Sequence, residues 1–172
     1  MPEVFVSRVQ ERNGKRMFKM VRTGTCVAIL FGILAISGAA WAQTHATRPE
    51  RYLFEAANRE RREVGLPPLK WNEPLAIAAR AHAKEMAHQN TVSHRLPGEA
   101  ALPGRAAKAG AHFSWLSENI VQSRDAAGAH SQFMKSAAHK ANLLDADMNA
   151  VGIGVVERHG QLFVVEDFAQ RK

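Results

Sequence analysis

Two β-rich runs near the C-terminus, Val151-Gly-Ile-Gly-Val-Val-Glu157 and Gln161-Leu-Phe-Val-Val-Glu-Asp167, are separated only by Arg158-His159-Gly160. Branched and aromatic residues at this density, broken by a short glycine-bearing link, predict a β-hairpin. Gly152 and Gly154 fall on one face of the first strand, where the missing side chains let a helix or a neighbouring strand come close to the backbone. A hairpin of this kind has a face to bury, and the sequence before it supplies helices to cover it. The predicted class is α+β.

The first helix is expected from Arg51 to Val64, with Tyr52, Leu53, Ala56 and Ala57 apolar and Gly65 as its stop. Leu66-Pro-Pro-Leu-Lys-Trp71 reads as extended, because a residue before proline avoids the helical basin. Asn72 is placed as an N-cap, with Glu73 and Pro74 in the first turn of a helix running to about Gln89. Leu75, Ala78, Ala79, His82 and Met86 form one stripe of that helix, so His82 reads as a core histidine with a hydrogen-bonded ring. Residues 91–122 hold Pro97, Pro103 and three glycines, and are expected to form a long irregular connection with a short helical piece at Arg105–Ala109. A third helix is predicted from Asp125 to Ala138, with Ala126, Ala129, Phe133 and Ala137 inward.

Ahead of this domain lies a leader. Arg16, Lys19 and Arg22 precede the apolar run Cys26–Ala42, which ends in Ala40-Trp41-Ala42 before Gln43. A positive segment, a short apolar stretch and small residues at −3 and −1 predict a signal peptide over residues 1–42, and with it export to the periplasm or beyond. Left uncleaved, the same run is the expected membrane contact. Met17 and Met20 stand beside Met1 as starts that would shorten the positive segment. Residues 43–50 are read as a loose polar tail and 51–170 as the domain.

Of the net charge of +7, the leader carries +4, which leaves +3 on residues 43–172. With no aromatic residues set among basic ones, the domain is not expected to bind nucleic acid. Cys26, the sole cysteine, would leave with the leader, so neither a disulfide nor cysteine chemistry is expected of the mature chain.

Three separated segments hold the candidate chemistry: Ser93-His94, Ser117-Glu118-Asn119-Ile120, and Ser136-Ala-Ala-His139-Lys-Ala-Asn142-Leu143. His94, Glu118 and His139 form a His₂Glu set for a divalent metal, Zn²⁺ suiting it best, with Glu118 also the candidate catalytic carboxylate. The residues alone leave a second reading open, in which Glu118 accepts backbone N–H bonds and His139 sits near a helix C-terminus.

The ordered set from Tyr52 to Phe168 resembles the CAP/SCP family of cysteine-rich secretory proteins, antigen 5 and pathogenesis-related 1, in its bacterial form. Asn58 and Arg61 match its opening helix, followed by Gly65-Leu66, Leu69 and Trp71, then Leu75, Ala79, Ala83 and Met86. His94, Gly98, Arg105, Gly110, Glu118 and Asn119 match its central region. Phe133 stands where tryptophan is usual, Ser136, His139, Asn142 and Leu143 follow, and Gly152-Ile-Gly-Val155 with Asp167-Phe168 closes the match. The resemblance implies a three-layer α-β-α sandwich with a cleft lined by a His/Glu tetrad, to which His94, Glu118 and His139 contribute three members. Ser117 replaces the usual glycine, and no acid stands near Ser136-Ala137, where the second tetrad acid belongs. Glu99, Asp145 and Glu166 are the candidate substitutes.

Three functions are compatible with this pattern. The first is a non-enzymatic binding module of the envelope or extracellular space, its cleft able to hold a divalent metal and its partner a lipid, a glycan or a protein. The second is a metal-dependent hydrolase of peptides or cell-wall material, in a sequence that has neither H-E-x-x-H nor G-x-S-x-G. The third is a lipid or sterol carrier, with His112-Phe113-Ser-Trp115-Leu116 offering aromatic rim residues.

Overall fold

A computed structural model describes residues 9–10 and 46–171. The proposed leader therefore lies outside the described residues, apart from β1 (Val9–Gln10). The remaining elements are α1 (Arg48–Glu63), β2 (Lys70–Trp71), α2 (Glu73–Gln89), α3 (Leu102–Lys108), β3 (Trp115–Ser123), α4 (Ala126–Lys135), α5 (Ala137–Leu143), β4 (Ala150–Arg158) and β5 (Gln161–Gln170).

The expected hairpin is β4–β5, closed by a two-residue loop in which His159 and Gly160 both have positive φ, at 51° and 70°. Two positive φ values are what a type I′ turn demands, and its twist matches that of the strands it joins. β5 lies at the centre of a sheet ordered β1-β3-β5-β4-β2, in which only the β2–β4 pairing is parallel.

Alternation along β5 divides the core. Val164 and Phe168 face Leu53 and Ala57 of α1, Ala129 and Phe133 of α4, and Leu143 of α5. Phe163 and Val165 face Ala79, Ala83 and Met86 of α2, while Ala169 packs with Leu75, Leu102 and Leu116. The result is the expected α-β-α sandwich. Gly152 and Gly154 do what their shared face implied: a Cβ on Gly152 would lie 2.1 Å from the Ala76 nitrogen of α2.

Three expectations need correction. The supposed irregular stretch 91–122 contains β3, nine residues paired with β5 along their whole length. The polar run Ser117-Glu118-Asn119 hid it, because all three are buried, and Glu118 and Asn119 find their partners far away in sequence. The third helix is two: Ser136 leaves helical geometry (φ −92°, ψ 120°) and its hydroxyl caps α5 at the His139 nitrogen. Finally, α1 begins at Arg48, inside the supposed tail, where Thr47 and Glu50 form a capping box. Glu50 is fully buried and receives Arg80 from α2, so this turn belongs to the core.

Candidate functional site

Glu118 is the centre of a polar network on the α2 side of the sheet. β3 sends Leu116, Glu118 and Ile120 to the same face, and the apolar pair packs against α2 and α3. That leaves Glu118 only 1% exposed. Its Oε1 meets His94 Nδ1 at 2.8 Å, and its Oε2 accepts from Arg105 Nη2.

Two further groups stand behind this pair. His82, fully buried on α2, lies with Nε2 3.9 Å from Glu118 Oε2 and with Nδ1 2.8 Å from Glu99 Oε1. Arg105 Nη1 donates to the carbonyls of His94 and Ala100, at 3.0 and 3.3 Å, fastening the loop that carries His94. Gly98, at φ 78°, makes the turn that brings Glu99 back toward α2.

His139 comes from the other direction, and it stands in the first turn of α5 rather than near a helix C-terminus. Asn142 Nδ2 donates to the Glu118 carbonyl and to Asn119 Oδ1, and Asn119 Nδ2 donates to the His139 carbonyl. These bonds tie α5 to β3 beside Glu118. Phe133 packs edge-on against the His139 ring, with centroids 5.2 Å apart.

The network sets the charges. Burial alone would raise the Glu118 pKa, but the His94 hydrogen bond and the nearby Arg105, His82 and His94 charges outweigh it and hold the carboxyl below its usual value. Burial, then the proximity of His94, pushes His139 below the usual histidine value, toward neutral imidazole. Asp167 lies directly across the ladder from Glu118, and burial followed by the Glu118 charge pushes it well above the usual range.

Residues 54–168 match the family described as CAP, the cysteine-rich secretory protein family. The chain belongs to the CAP family. It is 28% identical over 109 residues to YkwD of Bacillus subtilis, an uncharacterized protein, the match covering 63% of this chain and 42% of the relative. A crystal structure of an extracellular SCP-domain protein from Bacillus anthracis superposes with TM-score 0.67 at 29% identity, covering 72% of this chain and 40% of that one. This CAP domain thus spans less than half the length of either relative. A structure of NaASP2 with Zn²⁺ shares the fold at 14% identity and TM-score 0.55, covering 76% of this chain and 84% of that one.

Within the CAP domain, His94 and Glu118 are in contact and His139 lies within electrostatic reach of His94. Among the described residues no group of three or more His, Cys, Asp or Glu side chains is set out to hold a metal ion. Both Glu118 oxygens are engaged, so the carboxylate orients His94.

Of the candidate substitute acids, Glu99 enters the network through His82. Asp145 instead caps the Asp147 nitrogen beyond α5, and Glu166 is buried on the opposite face of β5 beneath Asn119. The acid facing Glu118 is Asp167, which the sequence reading places only at the end of the family match. Register across two strands is the signal that finds it.

Proposed function

We propose that this chain is an exported, non-enzymatic binding module of the envelope or extracellular space, whose cleft takes a divalent ion on His94 and His139. The His94–Glu118 contact carries the reading. A histidine that ligates a metal through one ring nitrogen typically gives the other to a carboxylate, and Glu118 occupies that second position at Nδ1. His94 would then present Nε2 to the ion, with His139 beside it held neutral by its surroundings. Two imidazoles are a donor set suited to Zn²⁺, with the other positions left to water or a ligand group. When bound, the ion would supply a Lewis-acidic point for an anionic or carbonyl group of the partner.

Glu118 also argues against hydrolysis at this site. A general base works best with a pKa near the working pH, whereas this carboxylate is held low and both oxygens are engaged. Export is supported by the leader and by the extracellular B. anthracis relative.

The test is calorimetric titration of Zn²⁺ into the protein and into His94→Ala and His139→Ala variants. One-site binding weakened by about tenfold or more in each variant is expected. Equal and negligible binding in all three removes the metal. Zinc-dependent turnover of peptides or peptidoglycan, lost in His94→Ala, would show an enzyme instead.

A further inference from the structure

The outward face of α1 carries four arginines. Arg48, Arg51, Arg59 and Arg62 are all exposed. At about 100° per residue they fall within an arc of about 80°, along roughly 20 Å of helix. The inward face buries Leu53, Ala56, Ala57, Asn58 and Arg61, so packing of the core holds the stripe outward. Glu55 is the acid inside the arc, and Glu63 stands at its margin. Among the described residues the ion pairs of arginine are those of Arg80 and Arg105, so no salt bridge neutralises this stripe.

Helix stability does not account for these cations. Arg48 is the first helical residue, where the positive end of the helix dipole repels it. Arg59 lies over the ring of Tyr52, its guanidinium carbon 5.9 Å from the centroid, and that ring is 39% exposed on the same face. The interior sharpens the imbalance, because it buries Glu50, Glu118, Glu166 and Asp167 but only Arg61 and Arg105. The surface is therefore more positive than the formal charge of the domain suggests.

Position along the chain selects the partner. α1 begins six residues after Ala42, where the apolar run of the sequence ends, and six residues reach at most about 20 Å. A domain delivered across a membrane behind that run emerges with this stripe beside the bilayer. Guanidinium forks fit phosphate oxygens in pairs, and tyrosine rings favour the headgroup level. We infer that the arginine stripe of α1 is a docking surface for an anionic phospholipid bilayer. Arg48, Arg51, Arg59 and Arg62 meet lipid phosphates, and Tyr52 sits among the headgroups. The inference takes export, and nothing of the metal site, from the function proposed above.

Tyr52 is the only tyrosine of the chain, so fluorotyrosine labelling gives one fluorine resonance, on the stripe and not on the leader. The labelled full chain is mixed, with EDTA present, with phosphatidylglycerol vesicles carrying a paramagnetic headgroup label. The resonance should broaden at about 50 mM salt and sharpen again at about 500 mM, where screening is short-ranged. Arg51→Gln with Arg62→Gln should weaken the broadening titration by roughly fivefold per arginine removed. Lys84→Gln with Lys108→Gln removes the same charge from α2 and α3 and should change it by less than about twofold. The leader is common to all variants, so their comparison isolates the stripe, and circular dichroism should match the parent in each. Equal weakening in the two pairs overturns the docking surface. Capture by dextran sulfate without broadening on the vesicles assigns a soluble polyanion and overturns the bilayer. Neither export nor a metal enters the measurement, so failure here is distinct from failure of the proposed function.

Discussion

Glu118 and Asp167 stand directly opposite each other on β3 and β5, two carboxyls on one buried face, and their pKa values are driven apart. Glu118 keeps its charge because Arg105 and His94 hold its two oxygens. Asp167 is fully buried, and the facing charge opposes its ionisation. Like charges in directly opposed positions destabilise a sheet, so one of the two must stay neutral.

The two acids should therefore respond oppositely to neutralisation at pH 7. Asp167→Asn copies the form the folded protein already holds. The folded pKa lies above the unfolded value, so the wild type loses stability as pH rises through that interval and the asparagine variant does not. It should be at least as stable as wild type. Glu118→Gln leaves buried Arg105 without its counter-charge and should cost about 2–4 kcal/mol. Urea midpoints at pH 7 read both. Equal losses in the two variants would contradict the assignment of charge.

The same pair shows what the sequence could and could not disclose. The hairpin is legible because alternation and the turn residues are local, and Gly152 with Gly154 signals a close approach at the right place. β3 is not, because its buried Glu118 and Asn119 are satisfied by Arg105, His94, His139 and Asn142, none of them a neighbour in sequence. The break at Ser136 is hidden for a different reason: a serine in an alanine-rich run reads equally as helix interior or as a new cap. His94 and Glu118 emerge from the ordered motif. His82 is correctly read as a buried, hydrogen-bonded histidine, but its nearness to Glu118 rests on where α2 crosses the sheet. Asp167 requires the register.

Glu166, fully buried one residue before Asp167, has its pKa pushed up to about 8 by burial, against a smaller opposing effect of the Asn119 hydrogen bond. Below about pH 4.5 folded and unfolded chains both carry the proton. Between there and about 8 the unfolded chain releases it while the folded one keeps it, so stability falls as pH rises and levels off above the folded value. Glu166→Gln removes this group's share. Its stability advantage over wild type should grow across that window to roughly 3–5 kcal/mol, at about 1.4 kcal/mol per pKa unit. Paired urea titrations from pH 4 to pH 9 check it, and a difference that does not change with pH would refute it.

Arg61 of α1 is completely buried and donates to four carbonyls, those of Pro67, Leu143, Asp145 and Met148. It joins the first helix to the turn that follows α5. A planar fork reaches four acceptors where an ammonium has three donors on a flexible stem. Arg61→Lys should strand at least one carbonyl and lower stability by about 2–4 kcal/mol, seen in a thermal melt followed by circular dichroism. Retention of the wild-type melting temperature would show that these bonds contribute little.

The second close approach of β4 to α2, one turn of helix beyond Gly152, gives the sharpest prediction. A Cβ built on Gly154 would lie 2.2 Å from the Arg80 nitrogen and 2.3 Å from the Ala79 carbonyl carbon, both backbone atoms of α2. Neither can move alone, because α2 also packs Ala79, Ala83 and Met86 against β5 and carries His82 to Glu99. Gly154→Ala must lift the helix and should cost about 3 kcal/mol or more. Gly160→Ala is the matched control: its φ of 70° is unfavourable for alanine, but a Cβ there meets nothing within 4 Å. That change should cost only about 1–2 kcal/mol. The Gly154 variant should also disturb the His82 ring resonances, which the Gly160 variant should leave in place. If the two substitutions prove equally mild, α2 does not rest on bare β4 backbone, and the seating of His82 beneath Glu118 loses its mechanical basis.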